Sequence, residues 1–179
     1  MKLFYISGFL LLTTFLLQCN VDLTNKLIPG EIKNDIYSNS YFTIVIPEDW
    51  LPLEDESEHN ILILVKIDSL FGSNLIFTAV KKSDFVLDNG KNLEEFFRSK
   101  SNRFENKPNY KLTVQKMNIF PDKHPIMFSE FELTKKELIQ GHYDFEVGDF
   151  YVTITTTESK KDRQEQIREI IRSISFKES

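Results

Sequence analysis

Only Gly148-Asp149 separates two apolar-rich runs, Leu138 to Val147 and Phe150 to Thr156. A two-residue spacing of that kind closes a tight β-hairpin, so the chain must contain at least one antiparallel strand pair. Upstream, Tyr41 to Ile46, Ile61 to Ile67 and Leu75 to Val80 are rich in β-branched and aromatic residues, as strands are. Tyr110 to Ile119 and Ile126 to Leu133 alternate in part between apolar and polar, which predicts two more strands. Asn92 to Glu105 breaks the series. Leu93, Phe96, Phe97 and Phe104 share one helical face there, with Asn92 as N-cap and Glu95 at the third helical position. A last helix is expected from Lys160 to Ile174. Ser159 and Asp162 form its capping box, and Ile167, Ile170, Ile171 and Ile174 form its apolar stripe. The predicted order is β-β-β-α-β-β-β-β-α. Consecutive strands joined by short turns imply an antiparallel sheet, and two amphipathic helices must cover it. The expected class is therefore α+β, a layered sandwich over residues 41–179.

The N-terminal segment follows other rules. Lys2 is followed by an apolar run from Leu3 to Leu17, shorter than the roughly 20 residues a membrane-spanning helix needs. Its length and flank suit a cleavable export signal, residues 1–18. No pair of small residues closes the run. Leu16-Leu17-Gln18-Cys19 stands there instead and resembles the bacterial lipobox, with Gln18 where most carry Gly, Ala or Ser. The resemblance implies a diacylglycerol on Cys19, cleavage before it, and membrane attachment through acyl chains at the bacterial envelope. A soluble secreted protein and an uncleaved anchor are the alternatives. Cys19 is also the only cysteine, so no internal disulfide can form. Residues 19–40 read as a tether, with Pro29-Gly30 as a turn. As a flexible coil of about 20 residues it would span about 25 Å. Leu27, Ile28, Ile32 and Ile36 allow a short docking helix as the alternative.

Charge narrows the function classes. Loss of residues 1–18 would remove one base, Lys2, and no acid, moving the formal charge from −5 to −6. An acidic chain lacks the basic face that nucleic-acid binding requires. It also gives no electrostatic reason to dock on anionic lipid.

The domain's two ends resemble the PsbP/Mog1-like family. The strand Phe42-Thr43-Ile44-Val45-Ile46 runs into Pro47 and then Trp50, and the chain closes with a hairpin strand, an amphipathic helix and Ser175-Phe176. The likeness covers Tyr41 to Phe176. It implies the layered sandwich and a non-enzymatic accessory or assembly role, without naming a partner.

Chemistry-bearing motifs are absent. There is no Walker loop, no G-x-G-x-x-G, no G-x-S-x-G and no H-E-x-x-H. His59, His124 and His142 show no ligand spacing, so no catalytic, cofactor or metal residues are assigned. The run Glu54-Asp55-Glu56-Ser57-Glu58-His59 lacks the order of a calcium loop and reads as a solvated loop. Trp50, the only tryptophan, is the candidate partner contact, with a plug at the end of the core as its bland reading. The expected function is a partner-binding accessory domain. A carrier of a small molecule or metal, using a pocket between sheet and helices, is the alternative.

Overall fold

A computed structural model describes residues 21–67, 73–85, 92–119, 124–160 and 165–178. Numbered in chain order, the strands are β1 (Gly30–Lys33), β2 (Ile36–Asn39), β3 (Phe42–Val45), β4 (Trp50–Leu53), β5 (Asn60–Lys66) and β6 (Asn74–Lys81). Helix α1 (Leu93–Glu105) follows, then β7 (Tyr110–Lys116), β8 (Met127–Leu133), β9 (Leu138–Val147) and β10 (Phe150–Ser159). Helix α2 (Glu165–Arg172) and β11 (Ser175–Phe176) complete the described elements.

Seven strands form one antiparallel sheet in the order β4-β5-β6-β10-β9-β8-β7, and four form a second in the order β1-β2-β3-β11. The β9–β10 hairpin pairs without a break from Val147 opposite Phe150 to Leu138 opposite Ser159. Gly148 makes that turn at φ +52°, a region L side chains avoid, and a Cβ there would lie 2.8 Å from the Tyr41 ring.

This corrects the expected architecture. The molecule is mostly β, with eleven strands in two sheets among the described residues, and is not an antiparallel sheet covered by two helices. The additional strands are β1, β2, β4 and β11. Each is two to four residues long. A run that short shows no period to read, and β4 also contains Pro52, which argues against a strand except at a sheet edge. The layered sandwich implied by the PsbP/Mog1-like resemblance falls with it. The inner face of the large sheet is covered by the small sheet as well as by α2.

The segment expected as a tether is likewise part of the body from Val21 onward. Leu23, Ile28 and Tyr37 are buried in the main core, and β1 and β2 form a hairpin. Ile32 and Ile36 lie in these strands, so the alternative docking helix does not form. Burial holds the Tyr37 hydroxyl well above its ordinary pKa, at about 12, and Asn39 Nδ2 donates to it at 3.1 Å.

The main core lies between the sheets. Phe42 of β3 meets Phe145 of β9 edge-on at 5.6 Å, and Ile167, Ile170 and Ile171 of α2 join the same cluster. On the opposite, outer face, α1 packs over β7, β8 and β9. Asn92 caps α1 as expected, its side chain accepting from Glu95 N at 3.0 Å. Ser159 closes β10, and Asp162 lies outside the described residues.

Candidate functional site

The outer face of the large sheet carries several features that core packing does not absorb; the exposed pair Ile36 and Val45 lies in the small sheet. Strand alternation and register assign the side chains to it. Leu51 lies opposite Val65, Leu53 opposite Ile63, and Ile63 opposite Ile76. Ile76 in turn lies opposite Thr155, and Thr155 opposite His142. One face therefore runs from an apolar strip at β4 and β5, through a row of threonines, to a polar row on β9 beneath α1. Leu51, Leu53 and Ile67 are 49%, 45% and 39% exposed.

Beside α1 the same face holds a groove of about 350 Å³. Its sides include Val80, Phe85, Phe96 and Phe104, and its floor includes Thr153, Thr155 and His142. Phe96 stacks on Tyr151 at 4.5 Å and takes the edge of Phe85 at 4.8 Å, which fixes the aromatic wall. His142 is 1% exposed. Phe104 and Phe131 hold its ring at 4.4 and 5.5 Å, and neither ring nitrogen has a hydrogen-bond partner. Burial, with the charges of Lys100 and Lys107, drives its pKa down to about 2, so it is neutral at physiological pH.

Asp144, next along the polar row, is fully buried and pairs with Lys100 of α1. Thr153 donates to the same carboxylate oxygen at 2.6 Å, while the other oxygen has no partner. Burial pulls the Lys100 pKa down, and the Asp144 charge opposes that pull. The hydroxyls of Ser101 and Ser129 are also buried without partners. Ser129 is the cross-strand neighbour of His142. Serine, histidine and aspartate are thus neighbours, but no hydrogen bond links serine to histidine or histidine to aspartate. The relay that activates a serine nucleophile is not assembled here.

Of the residues singled out from sequence, Cys19 and the whole of 1–18 lie outside the described residues. Trp50 is 2% exposed and belongs to the core. Its indole N–H donates to Gln166 Oε1 at 3.4 Å, and Gln166 Nε2 donates to Asp49 at 3.0 Å. Trp50 is not an exposed side chain; the exposed apolar side chains beside it are Leu51 and Leu53. His59 lies 3.2 Å from the Ala79 carbonyl, and His124 stacks on Phe176 at 4.0 Å. Among the described residues, no group of three or more His, Cys, Asp or Glu is placed to hold a metal ion. The loop Glu54 to Glu58 is exposed apart from Ser57, and Lys26 Nζ secures it by donating to the Asp55 and Ser57 carbonyls. No helix among the described residues is long and apolar enough to cross a membrane.

His142, Asp144 and Lys100 were missed as a group. Gln140, His142, Asp144 and Glu146 recur every second residue, the pattern of a solvent-facing strand edge. The one available signal was that α1 turns an apolar face towards some partner, and a polar strand face lies beneath it.

No protein-family model matches the chain, and no curated protein matches it. Among solved structures, a crystal structure of a Bacteroides thetaiotaomicron protein aligns with 77% of this chain and 46% of its own length. Identity is 14% and the TM-score 0.48. The chain thus spans just under half of that protein.

Proposed function

We propose that this chain is an exported bacterial lipoprotein, held at the cell envelope by acyl chains on Cys19, whose domain is a non-enzymatic adaptor for a protein partner. Export and anchoring rest on Lys2, the short apolar run and Leu16-Leu17-Gln18-Cys19. Two acyl chains hold a protein on a bilayer stably, where one holds it marginally. Mass spectrometry of the mature N-terminus is expected to find an acylated cysteine at position 19. A free thiol there, or a different start, refutes the anchor.

The adaptor reading is carried by one observation: the exposed strip of Leu51, Leu53 and Ile67 beside half-buried Ile63 and Val65. Contiguous apolar surface of this kind marks interaction sites. The partner it fits is a basic amphipathic helix. An apolar helix face covers the strip. The β4–β5 loop at its end carries exposed Glu54, Asp55, Glu56 and Glu58, which would attract flanking lysines or arginines. Strand addition fits less well, because Pro52 has no N–H to offer in the middle of the edge strand.

A synthetic amphipathic helix of Leu and Lys tests this. It should bind the full chain, more weakly as salt rises. The pair Leu51→Asp and Leu53→Asp should abolish binding while leaving the melting temperature unchanged. No binding to the unaltered chain, or equal binding to the variant, removes the adaptor reading.

A further inference from the structure

We infer that α1 is an acid-released cover: as pH falls below neutral the helix lifts from β7, β8 and β9 as one unit, because His142 beneath it can take up a proton only once the helix has moved. The apolar strip at β4 and β5 plays no part in this.

The contact under α1 is built differently from the main core. Leu93 and Phe96 of α1 join Tyr151 in a small cluster of their own, apart from the one between the two sheets. The same contact encloses five polar atoms without hydrogen-bond partners: Ser101 Oγ on the helix, and Ser129 Oγ, both ring nitrogens of His142 and Asp144 Oδ2 on the strands. Buried polar groups are normally paired, and each unpaired one weakens the contact that buries it. Lifting α1 returns these atoms to water. The sheet beneath keeps its own backbone hydrogen bonds, so the helix can open without the rest.

His142 makes that opening depend on pH. Its ring is 1% exposed, held between Phe104 of α1 and Phe131 of β8. Burial keeps it neutral while the helix is in place. Once exposed, an imidazole charges below its ordinary pKa of about 6.5. Above that pH both forms are neutral and the closed form keeps its full advantage. Below it only the open form gains a proton, and each further pH unit favours opening about tenfold.

The surrounding charges act in the same direction. α1 and the residues just after it bring three cations, Lys100, Arg103 and Lys107. β9 supplies Asp144, which Lys100 neutralises. β8 and β10 present Ser129, Phe131 and Thr155, and Tyr110 of β7 stands against Phe131; none of these is charged near neutral pH. His59 and Asp84 line the groove alongside. When α1 leaves, Lys100 goes with it. Asp144 stays two positions from His142 on the same face of β9, an anion beside the new imidazolium.

Amide hydrogen exchange of the full chain at pH 7 and pH 5, corrected for the intrinsic effect of pH on exchange, tests this. Protection of the α1 amides should fall about 25-fold between the two, the ratio for one histidine proton taken by the open form alone. At both pH values α1 should be less protected than β6 and β10, and low urea should speed its exchange less than theirs, since a local opening exposes little surface. In His142→Phe the α1 protection should be the same at pH 5 as at pH 7. Unchanged α1 protection in the unaltered chain, α1 amides as protected as those of β6 and β10, or an equal fall in the variant overturns the proposal. If His142→Phe does not fold, the first two comparisons on the unaltered chain decide alone.

Discussion

His142 shows how a residue can be conspicuous in space and plain in sequence. It stands two positions from Asp144 on β9, in a row that reads as polar surface, and only α1 above it makes the site buried. Its titration has a measurable consequence. The imidazole has an ordinary pKa of 6.5, which burial lowers to about 2 in the folded chain. Above pH 6.5 both folded and unfolded forms are neutral there, and the group contributes no pH dependence. Between 6.5 and 2 the unfolded chain binds a proton that the folded chain refuses, so stability falls as pH falls. From pH 7 to pH 5 the loss from this residue is about 2 kcal/mol. Urea titrations at the two pH values should show that loss in the unaltered chain and a much smaller one in His142→Phe. An equal loss in both would place the acid sensitivity elsewhere. Lys100 yields the complementary test. Lys100→Met strands the Asp144 carboxylate in the interior, and removing one partner of a buried pair costs about 3–5 kcal/mol. Adding Asp144→Asn should restore most of that loss in the same denaturant measurement, because the charge goes with the partner.

Legibility at the level of elements followed length. Asn92 and Glu95 announced the start of α1, and its apolar face was readable because thirteen residues hold more than three turns of period. The ten-residue strands β9 and β10 were readable because Gly148-Asp149 fixed their register. Of the two- to four-residue strands only β3 was, through its run from Tyr41 to Ile46, and the others decide the architecture: β1, β2 and β11 join β3 in the second sheet, which covers the large one together with α2. Trp50 and Pro52 were visible as residues, but β4 as a strand was not. Its outward Leu51 and Leu53 therefore went unnoticed, and the candidate site was legible only as a neighbourhood. The α1 cap offers an element-scale test. Asn92→Ala removes the acceptor for Glu95 N and should destabilise the chain by about 1 kcal/mol. α1 packs over β7, β8 and β9 and walls the groove, so amide exchange should quicken at α1 and at His142 on β9 beneath it while the inner core stays protected. Uniform quickening across both sheets would show that α1 is not an independent local unit.

The boundary of the folded body bears on the whole molecule. A flexible tether through Ser40 would set the domain about 25 Å from its anchor. Val21 to Asn39 is instead built into the fold. Leu27 N donates to Glu58 O at 2.9 Å, and Asn39 Oδ1 accepts from the amides of Tyr41 and Phe42 at 2.8 and 2.9 Å. Leu23, Ile28 and Tyr37 fill the main core. Burial of each large apolar side chain contributes about 1.5–3 kcal/mol, so these three together approach the 5–15 kcal/mol that holds a typical domain folded. Two shortened chains separate the alternatives. One begun at Val21 should melt cooperatively at the temperature of the full chain, since it keeps every described contact. One begun at Tyr41 should show no cooperative transition, because β3 loses its partner β2 and the core loses three plugs together. Calorimetry of the pair decides between them. Equal melting would mean that the hairpin is an appendage, which would restore the tether and the distance it implies. If only the longer chain folds, Cys19 stands two positions before the body, and an acylated Cys19 would press the domain against the bilayer. In that arrangement an adaptor surface can meet only partners that lie at the membrane themselves.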